Sequence, residues 1–157
     1  MPALPWSRIT VSTVIDASPD EVWDAVEDIG SHTGWMADAE EIRITSAQTS
    51  GVGTTFECDT KVGPFRLTDL MEITRWEPGR AMGVRHVGIV TGEGTFTLAP
   101  AGRRLRRRRA TRFTWSEQLT FPWWMGGPLG AAVGGRVLKL IWRRNLRALK
   151  EIVEGGR

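Results

Sequence analysis

Two side chains have the chemistry of a proton-transfer site, and the first is Glu117. It belongs to a stretch in which Phe113, Trp115, Glu117 and Leu119 alternate, and alternate residues of a β-strand share one face. If that face lines an apolar cavity, desolvation would raise the pKa of the carboxyl group and make it an acid or a base. The alternative is that Glu117 lies at a rim or faces outward and pairs with an arginine, because glutamate is rarely buried without a partner.

The second side chain is His86, which alternates with Met82 and Val84. Imidazole exchanges protons near neutral pH, and apolar pockets commonly use a few such polar groups to orient a ligand carbonyl or hydroxyl. The alternative is a structural histidine whose hydrogen bonds are satisfied. Asp69, which lies between two apolar residues of another strand, is a third inward-facing candidate.

Other reaction chemistries lack support. The chain has two histidines, His32 and His86, and one cysteine, Cys58, and none stands at metal-ligand spacing. We therefore predict no metal and no cofactor. No G-x-S-x-G motif occurs. Cys58 alternates with Phe56 and Val62, which predicts a core position rather than a nucleophile.

The stretch Arg103–Arg109 has arginine at six of its seven positions. A charge run between two strands is typically a solvated hairpin turn. The alternatives are nucleic acid and an anionic membrane. No aromatic residue interleaves the run, as single-strand binding would favour, so we expect no nucleic-acid partner and keep weak contact with an anionic membrane open.

The aromatic residues are skewed toward tryptophan, with eight Trp and no Tyr. The pair Trp35–Met36 and the tripeptide Trp123–Met125 are predicted to face each other at the mouth of a cavity. The alternative is that both groups plug the ends of the core, since large aromatic side chains usually bury.

The elements that position these residues follow from periodicity. Residues 8–16 alternate as a half-buried strand. A helix begins at Ser18, with Pro19 at its first position and Glu21 completing a capping box, and Gly30 is predicted to end it. A short helix or turn follows at 31–37. The remaining strands are predicted at 41–48, 54–62, 65–77, 81–87, 91–99 and 111–121.

From about Pro128 the period becomes helical. The segment 128–142 is apolar nearly all round, which predicts that other structure encloses it. Its glycines, within 126–135, allow either close packing of the helix on the sheet or free volume above the sheet. Consecutive strands with short turns, and helices near the ends, predict an α+β fold with an antiparallel meander.

The segment V-x-x-V-I-D-A-S-P-D-E-V-W, followed by G-W-M, E-P-G-R and R-F-T-W-S-E, resembles the START-like (SRPBCC) superfamily, and within it the polyketide cyclase/dehydrase-like group. The resemblance covers residues 8–154. It implies a helix-grip fold, in which a curved antiparallel sheet of six or seven strands wraps a long C-terminal helix, with two short helices after the first strand and a deep hydrophobic cavity. The Arg-rich stretch replaces the short glycine-rich turn expected of the family.

On such a fold, the catalytic residues stay unassigned, with Glu117 and His86 as candidates, because the family has no universal catalytic motif. The predicted ligand-binding residues are Trp35, Met36, Phe56, Met71, Met82, Val84, His86, Phe96, Trp115, Glu117, Trp124, Val133 and Val137.

Three functions remain open. The first is binding of a small hydrophobic or aromatic ligand, lipid- or polyketide-like. The second is a polyketide cyclase or dehydratase that uses the same cavity. The third is a partner-binding stress or co-chaperone-like module. We expect one domain over residues 1–157, present as a monomer or homodimer. We also expect a soluble, cytoplasmic protein, since the single cysteine excludes an internal disulfide and neither a signal peptide nor an apolar run of about 18 residues is found.

Overall fold

A computed structural model describes residues 6–104 and 108–156 of the chain. Seven strands form one antiparallel sheet in the order β1-β7-β6-β5-β4-β3-β2. The sheet is curved around a long C-terminal helix, which confirms the predicted α+β helix-grip architecture. The strands are β1 (Trp6–Ile15), β2 (Ala39–Ile44), β3 (Thr55–Val62), β4 (Phe65–Glu77), β5 (Ala81–Val87), β6 (Thr91–Arg104) and β7 (Arg108–Thr120).

The first helix, α1 (Pro19–Val26), begins as predicted. The Ser18 side chain accepts from the Glu21 amide while the Glu21 carboxylate accepts from the Ser18 amide, so two amides that the helix leaves open are satisfied. The helix ends four residues before Gly30, because the Asp28 side chain accepts from the Gly30 amide and begins a short 3-10 helix, Ile29–Gly34.

Strand β2 ends earlier than the predicted 41–48. The Gln48 side-chain amide donates to the carbonyls of Ser50 and Val52 and to the hydroxyl of Thr54. These bonds hold a compact loop in place of a continued strand. Side-chain amides that bond to nearby backbone compete with strand pairing in this way.

Strands β6 and β7 extend further than the predicted 91–99 and 111–121. Their ladder continues through Arg103↔Arg109 and Arg104↔Arg108 after an irregularity beyond Pro100. Part of the arginine run therefore belongs to the hairpin's strands. Residues 105–107 lie outside the described part of the chain, so its predicted tip is not described.

The long helix α2 (Gly127–Gly155) has two different halves. Gly126 precedes it with φ of 105°, a left-handed conformation that favours glycine. The C-terminal half buries four side chains on the sheet: Trp142, Asn145, Leu146 and Leu149.

The N-terminal half of α2 contradicts the prediction that other structure encloses it. Leu129 is 74% exposed and Leu140 is 61% exposed. Ala131 is buried and Leu138 packs against the core, but much of this half extends over a cavity, so its other apolar residues divide between the cavity and the outer surface. Within the described residues, no helix is both long and apolar enough to cross a membrane.

Candidate functional site

A cavity of about 790 Å³ lies between the concave face of the sheet and α2. The 3-10 helix Ile29–Gly34 closes one side, and the turn between β3 and β4 reaches the other. The cavity lies beneath the N-terminal half of α2, while most of the buried side chains of this helix belong to its C-terminal half. Gly134 faces this space, and a Cβ built there would meet no atom within 4 Å. Glycine at this position therefore leaves volume free, as one of the two sequence interpretations expected.

All of the predicted ligand-binding residues except Trp35 lie in the cavity wall. They come from the inner face of the sheet, from the segment after the 3-10 helix and from the start of α2, and they are Met36, Phe56, Met71, Met82, Val84, His86, Phe96, Trp115, Glu117, Trp124, Val133 and Val137.

Trp35 lies behind the wall rather than in it. Its ring packs at 5.9 Å from Phe96, 6.1 Å from Trp115 and 6.5 Å from Phe113, measured between ring centroids. Its neighbour Met36 faces the cavity. The sequence interpretation that placed both at the mouth is wrong for Trp35, which supports the aromatic residues that do face the cavity.

A flat aromatic surface forms part of the wall where the sheet meets α2. Trp115 on β7 and Trp142 on α2 stack with ring centroids 4.3 Å apart and planes 14° apart, and Phe96 packs edge-on against Trp115 at 5.4 Å. Stacked and edge-on pairs are the arrangements that aromatic quadrupoles favour. The surface is therefore held rigidly, with both tryptophans lining the cavity.

Glu117 and His86 meet inside the cavity. Each is 7% exposed, and Oε2 of Glu117 lies 3.2 Å from Nε2 of His86. This contact is at ion-pair distance without the alignment of a hydrogen bond, and Nδ1 of His86 has no hydrogen-bond partner among the described residues. The other carboxylate oxygen, Oε1, accepts from Trp115 Nε1 at 2.8 Å. The alternative of Glu117 paired with an arginine is wrong, since its charged partner is His86.

The environment of His86 favours the imidazolium form. Burial acts to lower the pKa of His86, but the contact with Glu117 and the negative charges of Glu117 and Asp69 outweigh it, so the pKa lies above its usual 6.5. A nearby opposite charge stabilises the ionised form in this way. His86 therefore keeps its proton to a higher pH than an ordinary imidazole would, on a ring that lines an apolar cavity.

The contact between Glu117 and His86 spans two strand intervals, and glycines make it possible. On the strand between them, Gly94 pairs with Glu117 and Gly92 pairs with His86. A Cβ at position 94 would lie 2.7 Å from Cγ of Glu117 and 2.9 Å from its Cδ, closer than van der Waals contact allows. Because residue 94 has no side chain, the Glu117 side chain can lie across β6 and reach toward β5. Gly94 therefore has a structural role in this contact.

Asp69 is a second acid of the wall, half-buried on β4. Its Oδ2 accepts from the Thr60 hydroxyl at 2.8 Å. Burial raises the pKa of Asp69, and the hydrogen bond from Thr60 opposes that rise. Met71 pairs with His86, so Asp69, two residues earlier on the same face, stands diagonally across from the imidazole.

A third acid, Asp38, was missed from the sequence. Its Oδ1 accepts from Asn145 Nδ2 at 2.7 Å and its Oδ2 accepts from Trp142 Nε1 at 3.1 Å. Asn145 in turn accepts from the Ala37 amide at 3.0 Å. The signal for this network was present: Asn145 lies between Trp142, Leu146 and Leu149 on the buried stripe of α2, and a buried amide requires partners.

His32 and Cys58 also line the cavity. Burial lowers the pKa of His32, whose Nε2 contacts the Val26 carbonyl at 2.7 Å. The contact with the backbone gives His32 a structural role. Burial raises the pKa of the Cys58 thiol to about 11, so little thiolate forms at neutral pH and the residue behaves as a small apolar group.

Exposed apolar side chains border the opening of the cavity. Phe65, at the tip of the β3–β4 hairpin, and Trp124, before α2, are 67% and 63% exposed, and both also line the cavity. Met125 lines it as well, whereas Trp123 does not. The predicted mouth near Trp123–Met125 therefore involves Trp124 and Met125, with Phe65 as a member that the sequence did not indicate.

Among residues 6–104 and 108–156, no group of three or more His, Cys, Asp and Glu side chains is arranged to hold a metal ion. The acids of the cavity bond to neutral donors or to His86 instead.

Comparison with protein families gives one match over most of the chain. Residues 7–154 match a family described as "Polyketide cyclase / dehydrase and lipid transport". No curated protein matches the chain in sequence.

Solved structures with the same architecture are similar over nearly their whole length. A protein from Thermus thermophilus, TTHA0849, has a TM-score of 0.74 at 18% identity, covering 96% of this chain and 99% of that one. The Zhui aromatase/cyclase from Streptomyces sp. R1128 has a TM-score of 0.72 at 15% identity, with coverage of 95% and 94%. Norcoclaurine synthase from Thalictrum flavum, in complex with dopamine and hydroxybenzaldehyde, has a TM-score of 0.69 at 15% identity, with coverage of 98% and 90%. At these identities the likeness establishes the fold alone.

Proposed function

Because the chain belongs to the polyketide cyclase/dehydrase and lipid transport family, we propose that it binds a small hydrophobic or aromatic ligand, lipid- or polyketide-like, inside its cavity. One observation carries this proposal: a space of about 790 Å³ remains between the sheet and α2, with a wall that is mainly apolar. Pockets for small molecules typically measure about 300–1,000 Å³ and combine apolar walls with a few polar groups.

The stacked pair Trp115 and Trp142 favours a ligand that contains a flat ring. Both rings line the cavity and are fixed by neighbours, Phe96 on one side and the bond from Trp142 to Asp38 on the other. A rigid aromatic surface binds a planar ligand at little cost in side-chain entropy. A ring lying against these tryptophans is the pose that we propose.

Glu117 and His86 are proposed to orient the polar end of the ligand. They provide the unpaired ring nitrogen and a carboxylate within a wall that is otherwise mostly apolar. Phe65 and Trp124 are proposed to border the route by which the ligand enters.

A second candidate function is an enzyme of the cyclase or dehydratase type. The observation that favours it is the grouping of Glu117, His86 and Asp69 on one cavity wall. In a dehydration, Glu117 would accept a proton from the carbon next to a carbonyl, and the imidazolium of His86 would donate its proton to the departing hydroxyl, which leaves as water. Such acid and base groups typically contribute about 10²–10⁴-fold in rate.

The third candidate, a partner-binding module, would be favoured by a filled cavity beside an exposed apolar patch. The cavity here is open, so the ligand-binding proposal takes precedence.

The experiment is native mass spectrometry of the protein purified from its own host, followed by extraction and identification of small molecules. We expect an apolar or aromatic compound at a stoichiometry near one. Repeating the purification with Glu117→Gln separates the two leading functions. A carrier should retain the same compound, whereas an enzyme should accumulate a different one, its substrate. Protein that carries no compound from its host would count against both.

Contact of Arg103–Arg109 with an anionic membrane remains a separate, weaker proposal. Sedimentation with vesicles containing phosphatidylserine tests it, and binding that falls with salt is the expected result. Absence of salt-sensitive binding would leave this run as solvated charge.

A further inference from the structure

We propose that the cavity selects apolar ligands whose buried polar group is an uncharged oxygen, a hydroxyl or a carbonyl, and that it rejects the corresponding carboxylates. This inference rests on the proposed function and specifies the ligand class. It is carried by the charges of the wall, by an unpaired ring nitrogen and by the register of three strands.

The ionisable groups of the described wall are predominantly acidic. They comprise three carboxyl groups, Asp38, Asp69 and Glu117, two imidazoles, His32 and His86, and the thiol of Cys58, and no Arg or Lys lines the cavity among the described residues. A ligand carboxylate would therefore enter an apolar space without a fixed cation to pair with. Burial of an unpaired charge is strongly unfavourable.

The two imidazoles do not supply the missing cation. His32 is directed at the Val26 carbonyl, and burial keeps its pKa low, so it stays neutral. His86 favours the protonated form, but Glu117 already lies 3.2 Å from its Nε2. An incoming carboxylate would have to compete with Glu117 while also facing Asp69, and like charges in one site repel.

The unpaired Nδ1 of His86 indicates which ligand group does fit. The His86 ring lines the cavity, and its Nδ1 is buried without a hydrogen-bond partner among the described residues, so a ligand oxygen would reach it by displacing the atoms that cover it. In an imidazolium both ring nitrogens carry a hydrogen and donate. A ligand carbonyl or hydroxyl oxygen would accept this hydrogen without adding charge, and so would satisfy a group that is costly to leave unpaired.

Asp69 distinguishes the two uncharged groups, because a ligand hydroxyl could donate to its carboxylate whereas a carbonyl could not. Its position diagonally across from His86, given by the pairing of Met71 with His86, places a carboxyl group near the same region of the wall. A ligand hydroxyl could accept from His86 and donate to Asp69, while a carbonyl could use His86 alone. An anion has no hydrogen to offer to Asp69.

The test uses three probes with one ring system: 2-naphthalenemethanol, 2-acetonaphthone and 2-naphthoate. Dissociation constants are measured by isothermal titration calorimetry on the full chain at pH 7. We expect the alcohol and the ketone to bind and the carboxylate to bind at least ten-fold more weakly than the alcohol.

Two variants test whether the acids of the cavity wall cause this difference between the dissociation constants of the carboxylate and the alcohol. Asp69→Asn removes a charge and preserves an acceptor for Thr60, and Glu117→Gln removes the carboxylate that lies against His86, so that a ligand carboxylate could take its place. Each should reduce the ten-fold discrimination to about three-fold or less, with the larger effect for Glu117→Gln. The control is Glu72→Gln, which makes the same change on β4 at a residue outside the cavity wall, and it should leave the ratio unchanged.

The outcomes separate this inference from the function on which it rests. If the carboxylate binds as well as the alcohol, or if neither cavity variant changes the ratio, the charge selection is wrong and ligand binding stands. If none of the three probes binds, the proposed function fails together with the inference.

Discussion

Glu117 and His86 lie on strands that are not neighbours, β7 and β5, and their side chains meet at 3.2 Å because Gly94 leaves the strand between them bare. The pair is thus a product of sheet register and of one missing side chain. A substitution on β6 can therefore separate the two side chains without altering Glu117 or His86 themselves.

The first prediction concerns Gly94. In Gly94→Ala the new methyl group would overlap Glu117 Cγ and Cδ, so the carboxylate should move away from His86. Burial of the imidazole would persist without its partner, and the pKa of His86 should therefore fall from above 6.5 to 6.5 or below. NMR titration of the histidine ring signals measures this change. Gly34→Ala, at a position with no atom within 4 Å of the added Cβ, is the control, and an unchanged His86 pKa in Gly94→Ala would refute the mechanism.

The second prediction concerns Asp69 and pH. The folded state raises the pKa of this carboxyl group above 3.8, so the protonated form is favoured by folding. The contribution to stability is fully present below pH 3.8 and is lost as the pH rises through the folded-state pKa. Asp69→Asn, which is neutral throughout, should therefore be more stable than the parent protein at pH 7, with a difference that shrinks toward pH 4.

Urea unfolding at pH 4, 5, 6 and 7 measures that trend. Glu72→Gln, outside the cavity on the same strand, should not reproduce it. A difference that is constant with pH would contradict the assignment.

The third prediction concerns the network that holds α2. Asp38→Asn retains one acceptor oxygen but turns an N–H group toward Trp142 Nε1 or Asn145 Nδ2, which both donate. One buried donor then lacks a partner, and we expect a loss of about 2 kcal/mol in the free energy of unfolding. Denaturant titration measures it. Asp24→Asn, at an exposed position of α1, should change the stability by less than about 0.5 kcal/mol, and a similarly small loss in Asp38→Asn would remove the network from the account.

The fourth prediction uses the single thiol as a reporter of the cavity. Because the pKa of Cys58 is about 11, the rate of alkylation by a small neutral reagent should be slow at pH 7.5 and should increase steadily toward pH 10. A ligand that fills the cavity should slow the reaction further, since Cys58 lies in its wall. Mass spectrometry follows the modification. A fast reaction at neutral pH, unaffected by any cavity ligand, would place the thiol elsewhere.

The fold was predictable because local signals and periodicity agreed. The bounds of β4 and β5 are those predicted, 65–77 and 81–87, because clear turns border both strands, although the pairing of β4 has an irregularity between Ile73 and Arg75. The early end of β2 was not predictable from alternation, because the Gln48 side chain decides it through hydrogen bonds to the following loop.

The candidate site was predictable only as far as a face of the sheet. Alternation placed Glu117 and His86 on inward faces, but no local pattern gives the register that brings β5 and β7 together across Gly94. Trp35 was misplaced for a similar reason: the residue follows a 3-10 helix, where neither a period of two nor one of 3.6 fixes the direction of a side chain. Asp38 was missed because its partners lie 104 and 107 residues away.

The enclosure of α2 was mispredicted because an apolar helix segment was assumed to be buried on all sides. The segment instead spans an opening, with Val133 and Val137 in the cavity wall and Leu129 and Leu140 exposed. Amphipathicity cannot separate a surface that packs on side chains from one that faces a cavity, because both require apolar residues.

The central claim, that the space beneath α2 receives an apolar ligand, is tested most directly by titrating the neutral fluorescent probe N-phenyl-1-naphthylamine into three proteins. The parent should bind one probe with a saturable increase in fluorescence. Gly134→Phe, whose ring would enter the cavity, should weaken binding at least ten-fold, and Ala132→Phe, on the exposed side of the same helix, should bind as the parent does. No saturable binding in the parent, or equal binding in Gly134→Phe, would contradict the claim.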